Sequence, residues 1–151
     1  METQYTFFHT GVFSNWHKSL FKCRGEWFSY MEQYMMWAKA IEFGDLATAK
    51  KILNAKTPKE HKDLGRQVKN FDPVAWDNHK EDLVYEGLKA KFEQNLGMRA
   101  ILKASKGTLV EASPVDRIWG IGYSEETAME NINNWGENLL GKLLTKLRDN
   151  V

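Results

Sequence analysis

Only three prolines occur in this 151-residue chain, and each falls where the chain must change element. Proline fixes φ and carries no N–H, so it suits the first position of a helix and stops a strand. Thr57-Pro58-Lys59-Glu60 has Pro at the first helical position and Glu completing a capping box, which predicts a helix running towards Val68. Asp72-Pro73 opens a longer one, PVAWDNHKEDLVYEGLKAKFEQNL, with Leu83, Leu88 and Phe92 on its buried face. Gly87 weakens it by ~1 kcal/mol relative to Ala, so a break is expected there if anywhere. Pro114 stops a strand, TLVEAS.

The segments between these points complete the pattern. The first thirty residues read as extended: TFFH and VFSNW are short and aromatic, and SLFKCRGEWFS forms two strands joined at Cys23-Arg24-Gly25-Glu26. Ser29-Tyr30-Met31-Glu32 is a capping-box sequence ahead of an apolar run ending at Gly44. Met31, Tyr34, Met35, Ala38 and Ile41 fall at helical spacing on that run. Asp45 caps a short helix from Leu46 to Leu53, and another short helix spans Met98 to Lys103. The loop PVDRIWGIGYS and two helices, from about Glu125 and Asn134, finish the chain. The expected class is α+β, a single domain over residues 1–151, mostly helical with a small N-terminal sheet.

Composition excludes several function classes. With 42% hydrophobic residues, a chain of this length buries ~70% of its unfolded surface and needs no disulfide or metal to hold a core. Lys+Arg 21 against Asp+Glu 20 leaves a net charge of +1, without the bulk charge of a typical nucleic-acid binder. His9, His17, His61 and His79 lack metal-ligand spacing, and the single Cys23 builds neither a disulfide nor a thiolate site. No G-x-S-x-G elbow supports a serine nucleophile. No secretory leader or ~20-residue apolar span is visible, so the expected location is the cytoplasm.

The polar residues set among bulky apolar ones carry the chemistry. Glu32 and Lys39 lie seven apart, two helical turns, on one face beside Met35, Met36 and Trp37. An acid and an amine in such surroundings have displaced pKa values, as catalytic groups need. The plainer readings are a capping Glu32 and a snorkelling Lys39. Asp116 lies in a loop after a strand, where it serves either a site or an Asx turn. Trp76 and Trp119 suit either a planar base or the core. Gly120 and Gly122 of W-G-I-G bring backbone N–H groups to a phosphate or make a tight turn.

These residues fall in blocks that occur together in one family. FSNW at 13–16, EQYMMWAKA at 32–40, FGD at 43–45, LGRQVKNFD at 64–72, KFEQN at 91–95, LVEASPVDRIWGIG at 109–122 and NLLG at 138–141 follow its order. The chain resembles the NADAR family (NAD- and ADP-ribose-associated, also called YbiA-like) over about residues 7 to 148. That resemblance implies an α+β N-glycosidase acting on ribose N-glycosides, chiefly phosphoribosylamino-pyrimidine intermediates of riboflavin biosynthesis, with release of ribose 5-phosphate. Other members of the family remove ADP-ribose from guanine in DNA, and a non-enzymatic nucleotide or ADP-ribose sensor would use the same pocket.

Carried over by motif, the resemblance makes Glu32, Lys39 and Asp116 catalytic. It also matches Trp76, and the chemistry of such a substrate adds Trp119 for the planar base and Arg66 or Arg117 with the Gly120–Gly122 backbone as candidates for the phosphate. Asn15 of the FSNW block joins them as a substrate-binding residue. Neither a cofactor nor a metal is implied. The expected partner is a small phosphoribosyl or ADP-ribosyl substrate, or a modified guanine in DNA, and no membrane.

Overall fold

The computed structural model describes residues 4–151. Along the chain, β1 (Tyr5–Phe8) precedes a hairpin of β2 (Phe21–Cys23) and β3 (Glu26–Phe28). Four helices follow: α1 (Met31–Glu42), α2 (Leu46–Asn54), α3 (Pro58–Gly65) and α4 (Pro73–Gln94). Then come α5 (Leu96–Ala104), β4 (Thr108–Glu111), the short α6 (Glu125–Ala128), a 3-10 stretch over Met129–Asn134, and α7 (Leu139–Asp149). The class is α+β, mainly helical, as expected. These elements gather into two compact units, Asn15–Asn95, and the segment up to Ser14 with Leu96–Val151.

In the unit Asn15–Asn95, α1 is the central element. Met31 to Ala38 and Ala40 are all buried, because α2, α3, α4 and β3 pack around it. A helix apolar on one stripe only would not survive in that position; here even its polar residues turn inward. Phe28 meets Tyr34 and Trp37 edge-on at 5.3 and 5.2 Å, and the Tyr34 hydroxyl donates to the Leu83 carbonyl at 2.8 Å. At Gly87 a Cβ would lie 2.4 Å from Cε2 of Tyr34, so glycine lets α4 close onto α1, and α4 runs unbroken through it. Val84 and Leu88 are fully buried there, while Leu83 is only half-buried.

The hairpin forms as the sequence indicates. Arg24 (φ 53°) and Gly25 (φ 84°) make a two-residue turn of the kind that matches strand twist. Cys23 closes β2 and is buried, not part of the turn. The VFSNW segment is not extended: residues 11–17 are turns and bends, started by Gly11 (φ 85°), whose carbonyl accepts the Ser14 N–H at 3.0 Å. α3 stops at Gly65 instead of reaching Val68.

Asp45 caps α2 and does more. Its carboxylate accepts from the Lys69 N–H (2.9 Å), the Thr48 hydroxyl (2.7 Å) and the Thr48 N–H (3.1 Å). These donors, Lys69 foremost, hold its pKa at about 2, below the ordinary 3.8. A carboxylate depressed on folding stabilises the protein above its unfolded pKa, and that contribution disappears as pH falls through the folded value. Asp45→Asn is therefore expected to lower stability at pH 7. The gap to wild type should close between about pH 4 and pH 2 in denaturant titrations.

In the other unit, β1 and β4 pair in parallel, with Tyr5 opposite Thr108 and Phe8 opposite Glu111. The exposed edge of β4 is satisfied by α7 and the residue before it. Asn138 accepts from the Glu111 N–H at 3.0 Å and donates to the Leu109 carbonyl at 3.0 Å, while Thr145 accepts from the Leu109 N–H at 2.9 Å. A strand edge so covered offers no template for pairing. Gly141 permits the approach, since a Cβ would sit 2.1 Å from the Leu109 carbonyl. The last helix begins at Leu139 and not near Asn134, where the chain is 3-10. Val110, Ile121 and Ala128 form one buried cluster, flanked by Tyr5, Phe7, Tyr123 and Trp135.

Candidate active site

Within Asn15–Asn95, the start of α1 decides what Glu32 is for. The helix is capped at Tyr30, one residue later than the Ser29 signal, and Gln33 occupies the third helical position. The Gln33 side-chain oxygen accepts the Ser29 N–H at 2.8 Å, and its amide donates to the Ile52 carbonyl at 3.1 Å. Gln33 thus performs the reach-back of a capping box. Glu32 is displaced from that duty and is buried in the first turn of α1.

Two turns on, Lys39 is half-buried. Its Nζ donates to the Gly65 carbonyl at 2.8 Å and sits 4.3 Å from the centre of the Phe71 ring. Burial lowers its pKa, Glu32 pulls the other way, and Arg66 adds to the lowering. An amine so held is easier to deprotonate than a surface lysine, while the carboxylate keeps a proton acceptor within electrostatic reach. The snorkelling reading of Lys39 does not describe this geometry.

Sequence reasoning missed both Gly65 and Phe71 as neighbours of Lys39. The signal lay inside the LGRQVKNFD block. A Cβ on Gly65 would fall 2.0 Å from the Met36 sulfur, so only glycine lets the end of α3 approach α1 and aim its carbonyl at Nζ. Taking the helix on to Val68 hid this terminus.

Asn15 is the other informative residue in this unit. Its backbone carbonyl accepts the Glu32 N–H at 3.0 Å, joining it to the first turn of α1. Its side chain is buried, yet Oδ1 accepts no hydrogen bond from any described residue. Arg66 ends α3, largely exposed, and stands 3.9 Å from Asp63, a surface pair of little energetic weight. Trp76 is buried in the first turn of α4.

In the other unit, Asp116 makes the turn that sequence allowed for. Its Oδ1 accepts the N–H groups of Ile118 and Trp119, both at 2.9 Å, while its own N–H donates to the Ser113 hydroxyl at 3.2 Å. The Arg117 guanidinium donates to the Asn134 carbonyl at 2.6 Å and lies over the Tyr123 ring. Trp119 is half-buried. The W-G-I-G backbone is pinned by the chain entering α7: Asn138 N–H donates to Gly120, Leu139 to Ile118 and Leu140 to Trp119, each at 3.1 Å. Gly122 (φ 79°) has the conformation of a turn, with no room for a Cβ beside Arg117. Among the described residues, no group of three His, Cys, Asp or Glu side chains is placed to hold a metal, and no helix is long and apolar enough to cross a membrane.

Known proteins match this chain along nearly its whole length. It is 46% identical to an N-glycosidase of Acanthamoeba polyphaga mimivirus, covering 99% of this chain and 98% of that one. It is 31% identical to the N-glycosidase YbiA of Shigella boydii, covering 93% and 81%. The solution structure of YbiA from E. coli superposes with a TM-score of 0.81 at 29% identity, over 99% of this chain and 86% of that one. The model of the NADAR domain matches residues 5–151, and the chain belongs to the NADAR domain family.

Proposed function

We propose that this chain is an N-glycosidase that hydrolyses the C1′–N bond of a phosphoribosylamino-pyrimidine of riboflavin synthesis, releasing ribose 5-phosphate. The observation that carries this reading is the pair on α1, Glu32 buried in the first turn and Lys39 half-buried and held as a partly desolvated amine. Relatives named N-glycosidase support the reaction class. A chloroplast riboflavin biosynthesis protein of Arabidopsis thaliana, 31% identical over a stretch that is 23% of its length, supports the substrate class.

The chemistry asks for few groups. Cleaving an N-glycosidic bond develops positive charge at C1′ and needs a proton on the departing nitrogen. Glu32 moves that proton, and Lys39 attacks C1′ of the ring-opened sugar. Asn15, bonded through its carbonyl to the first turn of α1, is assigned to the ribose, and Arg66 meets the phosphate as a charge-assisted donor. Incubating the purified protein with the phosphoribosylamino-pyrimidine should release ribose 5-phosphate stoichiometrically with the base. Release of ADP-ribose from modified guanine in DNA, with no ribose 5-phosphate from the pyrimidine, would replace this substrate by the other.

For Asp116 the proposal concerns its charge, over and above its turn. Asp116→Asn keeps an Oδ1 acceptor for Ile118 and Trp119, so thermal stability should hold. The expected signature is a fall in kcat with KM little changed, the mark of lost transition-state stabilisation. An unchanged kcat in that variant leaves Asp116 as a turn residue only.

A further inference from the structure

We propose that the cavity between the start of α1 and the end of α2 is a second ligand site, which takes a planar aromatic ring carrying a phosphate, the chemistry of a nucleoside monophosphate. The cavity is a cleft open to solvent on one side, with a volume of about 410 Å³, and lies wholly inside the unit Asn15–Asn95. Neither Glu32 nor Lys39 lines it, so the inference does not depend on the reaction proposed above.

Charge points to an anion. Lys18 and Lys56 both line the cavity, and no carboxylate does. Both lysines are exposed, and neither pairs with a carboxylate among the described residues. Two lysines lining one space without a carboxylate beside them favour a dianion such as a phosphate monoester.

The remaining lining favours a ring. Trp27 lines the cavity from the hairpin and is 58% exposed, an aromatic surface on which a planar ring can stack. Tyr30 contributes a second aromatic wall, backed by the buried His61 ring at 6.0 Å. The wall is rigid before any ligand arrives. Gln33 is bonded to Ser29 and Ile52, and His61 Nε2 is hydrogen-bonded to the Ala55 carbonyl at 2.8 Å, which ties the end of α2 to α3. A preformed cavity avoids the ordering cost of binding.

The test is a titration of the 15N-labelled full chain with adenosine 5′-monophosphate at constant ionic strength, followed at the Trp27 indole N–H. A saturable shift of that signal is expected. Lys18→Ala combined with Lys56→Ala, both at exposed positions, should weaken it at least ~10-fold, as loss of two charge-assisted contacts implies. Adenosine alone and inorganic phosphate alone should each bind at least ~10-fold more weakly than the monophosphate. A Trp27 signal that stays still overturns the proposal. So does one that moves equally in the double variant, or a ligand that shifts only signals around Glu32 and Lys39.

Discussion

Glu32→Gln is expected to lower turnover by at least ~100-fold while leaving the fold intact. The size follows from the usual contribution of a positioned general acid or base. The structural half follows from the start of α1, where Gln33 supplies the reach-back bond to Ser29 and Tyr30 occupies the cap. Because Gln33 supplies that reach-back bond, removing the charge of Glu32 leaves it in place. Gln33→Ala makes the complementary measurement: it deletes the bonds to Ser29 and Ile52 and should cost about 1 kcal/mol or more of stability. Stability by denaturant unfolding and turnover on the same preparations separate the two residues. A Glu32→Gln protein that is folded and nearly fully active would remove Glu32 from the chemistry.

This one-residue offset shows where sequence reading succeeds and where it stops. S-x-x-E at 29–32 and the overlapping pair Tyr30 and Gln33 both suit a helix start, and propensity alone prefers serine at the cap. Packing decided otherwise: Glu32 donates its N–H to the Asn15 carbonyl, and Gln33 finds the Ile52 carbonyl of α2. Neither partner is adjacent in sequence. Where a start signal depends on local bonds alone, the reading held. Thr57 accepts from the Glu60 N–H, and Asp72 from Val74 and Ala75, in the positions that Pro58 and Pro73 announce.

The same distinction governs the candidate residues. The periodicity that puts Glu32 and Lys39 on one face is local and was legible. That Lys39 donates to Gly65 was not, because it needs the end of α3 to meet α1 over a glycine. Asp116 was readable as a turn residue because an Asx turn closes within three positions. Trp76 shows the limit of composition: an aromatic residue beside a helix start suits a base or a core equally in sequence, and Trp76 is buried to the same degree as Asn15 and Glu32.

Borohydride added during turnover should trap a sugar on Lys39, and Lys39→Arg should abolish both the adduct and most of the activity. Only a neutral amine attacks a carbonyl carbon, and an exposed lysine near pKa ~10.4 is almost wholly charged at pH 7. Lys39 departs from that condition in the needed direction, chiefly through burial and with help from Arg66. In the covalent route the sugar ring opens to the C1′ imine, neutral Nζ adds to C1′ as the C=N π bond opens onto the base nitrogen, and the C1′–N bond to the base then breaks. The two protons of Nζ pass by way of Glu32 to the departing nitrogen, leaving a Schiff base on Lys39. Water then adds to the Schiff base, freeing ribose 5-phosphate and restoring the amine. Borohydride reduces the intermediate to a stable secondary amine, visible as added sugar mass on the peptide containing Lys39. Arginine retains the charge but has no accessible neutral form, so it preserves the contact with Gly65 better than the chemistry. The pH profile carries the sign: activity that depends on neutral Lys39 rises with pH up to the amine's lowered pKa and then levels. An active wild type that yields no adduct would assign the cleavage to direct attack by water, with Lys39 holding the leaving group. A fully active Lys39→Arg would take the amine out of the reaction altogether.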